Sequence, residues 1–273
     1  MATVVSAQRK IHYLDEGAGP LVALVHSGGM SSRQWSRLTP RLITDHRVLV
    51  PDLLGSGASD PVPADAPFDY NADVDALSAM LATSDQPCHL VGHSYGGLVA
   101  LTWARRNPAR VRSLAVYEPV AFGVLYSADD TDGIHNLDSY DPDGTFFDDA
   151  AGGKEPWLEN FIDYWNGRGA WRGLPESSRA GFLKVGRKVF QEVRSLMSDR
   201  TPHDAYASIA APTLLMSGGA STLAAQRVCA VLGQTIPHAE VATFEGVGHM
   251  GPLTHAQVVN DRIVAHIQAA DAG

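Results

Sequence analysis

Apolar residues recur along this chain in two alternating rhythms. Short continuous runs at Leu21–Val25, 46–50, 88–91, Val111–Tyr117, 212–217 and 240–244 have the length of strands buried on both faces. Between them, Trp35, Leu38 and Leu42, then Val74, Leu77, Ala79, Met80 and Leu81, then 98–104 and 222–232 place apolar residues at helical spacing, and a last helix is expected to begin near Thr254. Val4 and Val5 with Ile11, Tyr13 and Leu14 predict an opening hairpin that ends at the turn 15–20. Strands and helices in this order predict an α/β, doubly wound, mostly parallel sheet with helices on both faces, joined by right-handed crossovers.

Between residues 121 and 206 the alternation lapses. An acidic stretch holding Asp129, Asp130, Asp132, Asp138, Asp141, Asp143, Asp148 and Asp149 precedes an aromatic one with Trp157, Phe161, Tyr164, Trp165 and Trp171. A strandless interval between two sheet strands is expected to be a helical cap, inserted into a core of 1–120 and 207–273 and lying over the C-terminal strand edge, where open α/β sheets bind ligands. Its aromatics either line an apolar pocket or hold its helices together, and the sequence leaves both open. Asp141 and Asp143 before Gly144 suggest a calcium loop. In that register the first and twelfth ligand positions fall on Ser139 and Ala150, so the pattern fails.

The stretch with the most chemistry is Gly92, His93, Ser94, Tyr95, Gly96, set between the strand ending at Val91 and the helix opening at Leu98. This is the GxSxG elbow. So sharp a turn strains the serine backbone and tolerates only small neighbours, while it exposes the hydroxyl and aims the first helix amides at whatever the hydroxyl attacks.

The bulk properties narrow the possibilities. At 273 residues the chain suits one large domain, and 45% apolar and 19% charged residues are ordinary for a globular protein. A net charge of −9 argues against nucleic acid and anionic membrane surfaces. Cys88 and Cys229 give no disulfide framework, no apolar run is long enough for a membrane span, and Met1, Ala2, Thr3 open no secretory signal. A cytoplasmic protein is expected. A homodimer is allowed, and no histidine shows metal spacing such as HExxH, so neither metal nor cofactor is expected.

Four motifs in order now stand together: His26, Ser27, Gly28, Gly29 after a strand; the loop from Asp52 to Asp60; the elbow; and Gly246, Val247, Gly248, His249, Met250 near the end. Their arrangement resembles the α/β-hydrolase fold family, in its cofactor-free branch of esterases, lactonases, carbon–carbon bond hydrolases and haloperoxidase-like enzymes. The resemblance implies Ser94 as nucleophile and His249, last in chain order, as its base. It implies an oxyanion hole from the amides of Tyr95 and Gly28. His26, His89 and His93 are read as structural, beneath the site, and His238 and His255 as surface residues.

One departure stands out. The family commonly places its acid after the strand that here is Thr213 to Ser217, yet no Asp or Glu occurs from Ala205 to Ala239. Glu118, ending the preceding strand, is assigned the role, with Asp204, Glu245 or no acid as the remaining options and a cap-anchoring carboxylate as its plainer explanation. The leading expectation is an acyl-enzyme serine hydrolase acting on a small or medium apolar ester, thioester or lactone. Carbon–carbon bond hydrolysis of a diketone or ring-cleavage product is the alternative within the fold, and a non-catalytic ligand receptor is the alternative outside enzymes.

Overall fold

Eight strands form one sheet in the computed structural model, which describes residues 1–62, 67–141 and 144–273. They are β1 (Ala2–Ser6), β2 (Arg9–Gly17), β3 (Leu21–Val25), β4 (Arg47–Pro51), β5 (Cys88–His93), β6 (Val111–Tyr117), β7 (Thr213–Gly218) and β8 (Ala239–Phe244), in the order β1-β2-β4-β3-β5-β6-β7-β8. β2 runs antiparallel to both β1 and β4. The other pairings are parallel, with β5 between β3 and β6.

Each strand turns alternate residues to opposite faces, so the continuous apolar runs feed two cores. Leu21, Ala23 and Val25 pack on one side with helices α1 (Asn71–Leu81) and α2 (Tyr95–Arg106). Val22 and Leu24 pack on the other, against Trp35, Leu38 and Leu42 and, at the C-terminus, Val259 and Ile263. The segment from Trp35 to Leu42 is not the single helix its spacing predicts. It is a 3₁₀ turn, Ser32–Trp35, followed by one α turn, Thr39–Leu42, and Pro40, which has no N–H to give, stands at the start of the second. All three apolar residues are buried regardless.

The described residues between β6 and β7 contain no strand. They carry α3 (Thr131–Asp138), α4 (Glu155–Asn166) and α5 (Glu176–Ser198), and the chain then continues through α6 (Leu223–Thr235) and α7 (Ala256–Ala272). The acidic stretch is more structured than a solvated loop. Asp130 caps α3 and pairs with Arg227, Asp141 accepts from the Phe146 amide, and Asp149 pairs with Arg187 and Arg194. Asp143, part of the calcium-loop count, lies outside the described residues.

His89 is structural but not beneath the elbow. It is the second residue of β5, five residues before Ser94, and at about 3.3 Å per residue that is toward the opposite end of the strand. There His46 and His89 bond Asp271 at 2.8 and 3.1 Å, pinning the end of α7 to the sheet. Arg112 Nε, 3.0 Å from the same carboxylate, completes a charge cluster rather than a cation site.

Burial lowers the pKa of His89 to about 4, and it also lowers those of His26, His93 and His266. Between the unfolded value near 6.5 and the folded value, the unfolded chain binds protons that the folded chain refuses, so stability falls as pH drops through that window. Thermal unfolding from pH 7.5 to 4.5 should show Tm declining below about 6.5. A flat profile across that range would contradict the buried neutral histidines.

Candidate active site

Ser94 joins the end of β5 to the start of α2 with φ 53° and ψ −118°, a conformation that an L-residue holds only when its surroundings impose it. Two glycines make that possible. A Cβ on Gly92 would stand 2.5 Å from the Gly96 carbonyl oxygen, and one on Gly96 would stand 2.3 Å from that of His26. The Ser94 amide donates to Tyr117 O at 2.9 Å, fastening the bend to β6.

His249 Nε2 lies 3.0 Å from Ser94 Oγ, and His249 Nδ1 lies 2.6 Å from Glu118 Oε2. Glu118 is wholly buried with φ 44°, and both its oxygens are engaged. Oε1 accepts the Gly218 amide at 2.7 Å, and Oε2 also accepts the Ser221 hydroxyl at 2.7 Å. The loop after β7, where the family commonly carries its acid, here supplies the donors that hold an acid reaching across from β6. Asp204 and Glu245 are exposed, and neither bonds His249.

Tyr95 is the first residue of α2, so its amide has no acceptor within the helix, and Gly28 sits beside it: a Cβ there would be 3.6 Å from Tyr95 Cβ. The loop carrying Gly28 is tied down by buried side chains. His26 Nδ1 donates to Ser27 O at 2.7 Å while its Nε2 accepts the Leu53 amide at 3.0 Å. The Ser27 amide donates to Gln34 Oε1, the Gln34 amide nitrogen to His93 Nδ1, and His93 Nε2 to the His249 carbonyl at 2.9 Å. A neutral His93, kept so by burial, therefore links the Gly28 loop to the His249 loop.

The Ser94 hydroxyl lies on the wall of a cavity that is open to solvent. Its walls are chiefly apolar, from Phe122, Phe161, Ile162, Tyr164, Trp165 and Val189. The aromatics of the helical segment thus divide. Phe161, Tyr164 and Trp165 line the cavity, whereas Trp157, stacked on Phe161 and bonded to Phe146 O, and Trp171, against Phe182, hold helices together.

Trp165 stacks on the His249 ring with centroids 3.8 Å apart and planes inclined by 22°. The indole shields one imidazole face from water and fixes the ring plane, so Trp165→Ala should lower kcat/KM by about tenfold. Steady-state kinetics on one ester checks this, and an unchanged rate would make the stacking incidental to turnover.

Behind Tyr95 lies a buried charge cluster. Lys188 Nζ, from α5, is 2.7 Å from Glu192 Oε1 and 3.4 Å from Asp73 Oδ2 of α1. Asp73 also accepts the Tyr95 hydroxyl at 2.6 Å and the Leu54 amide at 2.8 Å. Burial alone would pull the Lys188 pKa down, but the two carboxylates hold it above its ordinary value. Sequence reasoning missed Gln34, the stacking of Trp165 on His249, and this cluster. In the sequence, only the i, i+4 spacing of Lys188 and Glu192 hints at the pair.

The family model for the alpha/beta hydrolase fold matches residues 20–256. The 2-hydroxymuconate semialdehyde hydrolase of Pseudomonas sp. (strain CF600) is 27% identical across 98% of this chain and 94% of its own. The pimeloyl-[acyl-carrier protein] methyl ester esterase of Neisseria meningitidis is 28% identical across 86% and 89%. Among solved structures, bromoperoxidase from Bacillus anthracis superposes with a TM-score of 0.75 at 21% identity, over 98% of this chain and 99% of that one. No helix among the described residues is long and apolar enough to cross a membrane. With this match over most of its length, the sheet order and the four motifs, the chain belongs to the alpha/beta hydrolase fold family.

Proposed function

We propose that the protein is a serine hydrolase that cleaves a small or medium, uncharged and largely apolar ester, thioester or lactone through an acyl-enzyme. Ser94 is the nucleophile, and its proton passes to His249 Nε2 as Oγ attacks the carbonyl carbon. The oxyanion gathers at the amides of Gly28 and Tyr95, at the positive end of α2. Glu118 holds the imidazolium in register, and His249 then returns the proton to the departing alkoxide. A water molecule, deprotonated by the same imidazole, releases the acid. Residues 121–206 act as a helical cap that supplies the apolar walls.

The observation that carries this reading is the row Ser94, His249, Glu118, bonded at 3.0 and 2.6 Å and opening into an apolar cavity. A fluorophosphonate probe should label the protein covalently, and Ser94→Ala should abolish the label. Protein that turns over no ester and takes no label, yet gains thermal stability with apolar ligands, would instead be a receptor.

Carbon–carbon bond hydrolysis is the second reading, favoured by the likeness to the hydroxymuconate semialdehyde hydrolase. That relative's substrate is a carboxylate by its name. Here no Lys or Arg stands among the described residues lining the cavity, and Glu192 does. An anionic substrate would meet a like charge, so neutral esters are favoured. Product analysis by mass spectrometry on an ester and a ring-cleavage diketone separates the two.

A further inference from the structure

We propose that Glu192 is a specificity-determining residue: its unpaired carboxylate oxygen accepts a hydrogen bond from a hydroxyl or amide N–H on the substrate carbon next to the scissile carbonyl. The inference rests on the hydrolase reading above and narrows its substrate class to α-hydroxy or α-acylamino esters and lactones.

The two oxygens of this carboxylate are unequally treated. Oε1 is held by Lys188 at 2.7 Å, whereas Oε2, also buried, has no donor in good hydrogen-bond geometry, the Gly29 amide contributing only a weak backbone interaction to the carboxylate. Such a group costs folding free energy unless something supplies a donor. Glu192 lines the same space as Ser94 and Gly28, and its Oε2 lies against the oxyanion loop: a Cβ on Gly28 would be only 2.8 Å from it.

That position fixes which substrate atom can reach it. A carbonyl oxygen seated on the Gly28 and Tyr95 amides leaves its neighbouring carbon, and what that carbon bears, nearest to the carboxylate. The remaining walls are chiefly apolar, so the rest of the substrate is hydrocarbon. Burial raises the Glu192 pKa and Lys188, 2.7 Å from Oε1, opposes that rise; the ionised carboxylate that Lys188 favours accepts hydrogen bonds and donates none. A bare negative charge beside the oxyanion hole would also oppose the oxyanion. A substrate donor on Oε2, together with Lys188 on Oε1, offsets that field, so the donor favours the transition state as well as binding. Sites built to hydrogen-bond a substrate hydroxyl reject analogues lacking it far more strongly than apolar pockets reject a methylene.

The test compares methyl 2-hydroxyoctanoate with methyl octanoate on the wild-type protein, Glu192→Gln and Glu192→Leu. Wild type should prefer the hydroxy ester in kcat/KM by more than about tenfold relative to Glu192→Leu, whose ratio reports the intrinsic reactivity of the two esters. Glu192→Gln, with one carbonyl oxygen left to accept, should fall between them. A wild-type ratio near one, or a ratio unchanged in both variants, would overturn the proposal while leaving the hydrolase reading intact. Affinities for 2-hydroxyoctanamide and octanamide, measured by calorimetry, need no turnover. If neither ester is cleaved, a tighter hydroxyamide whose advantage is reduced in Glu192→Gln supports the Glu192 inference and sinks the hydrolase reading; equal affinities sink both. Should Glu192→Leu fail to fold, the wild-type ratio and Glu192→Gln decide alone.

Discussion

Ser94→Ala and His249→Ala are each expected to lower kcat for ester hydrolysis by about 10⁴ to 10⁶, and the double variant should be little worse than the more damaged single one. The reason is that the pair acts as a unit. Without the imidazole at 3.0 Å the serine hydroxyl is a weak nucleophile at neutral pH, and without the hydroxyl the imidazole has nothing to activate except water. What survives is binding in the cavity and the amides of Gly28 and Tyr95, which act on any nucleophile that arrives. Single-turnover kinetics with the purified variants reads this directly. Losses that multiply in the double variant would mean that the two residues work separately.

Glu118→Gln is the second large effect, with an expected loss of about 10³ to 10⁴ in kcat/KM. The native carboxylate accepts three hydrogen bonds, from Gly218 N–H, Ser221 Oγ and His249 Nδ1. A glutamine has one acceptor oxygen and an NH₂ in place of the other. If the NH₂ faces the Gly218 amide, two donors confront each other. If it faces Nδ1, the imidazole must carry its proton on Nε2, where it can no longer take one from Ser94. Either orientation also removes the anion that stabilises the imidazolium. The measurement is kcat/KM at neutral pH beside a melting curve confirming that the variant is folded. A rate within tenfold of wild type would show that His249 works without this partner.

How much of this was legible in the chain follows from what each signal depends on. The strand, turn and helix around Ser94 are legible locally, because the steric demand at Gly92 arises within five residues, although that at Gly96 comes from the distant His26 carbonyl. The parallel sheet was equally readable, since strands buried on both faces must be continuously apolar. Glu118 was reached through the resemblance, which allows a Glu at that strand end to serve as the acid when the loop after β7 holds none. Why the loop after β7 has no acid of its own became clear once Gly218 and Ser221 were seen to hold another residue's carboxylate. The cluster of Asp73, Lys188 and Glu192 was invisible, because its members come from two helices 115 residues apart and each looks like an ordinary surface charge. Helical periodicity around Trp35 misled for a different reason: burial of three side chains needs one apolar face, and two short turns provide it as well as one helix.

The hold of the β7 loop on Glu118 has a consequence for descent. A lineage moving its acid between the two strands cannot do so one substitution at a time without loss. Placing a second carboxylate after β7 while Glu118 remains would crowd two like charges around one ring, and the shared proton would quench the anion that the imidazolium needs. Removing Glu118 first leaves an ancestor with no anion at all. Chimeras that join one layout's β6 end to the other's β7 loop should therefore lack a held acid and be inactive in both directions.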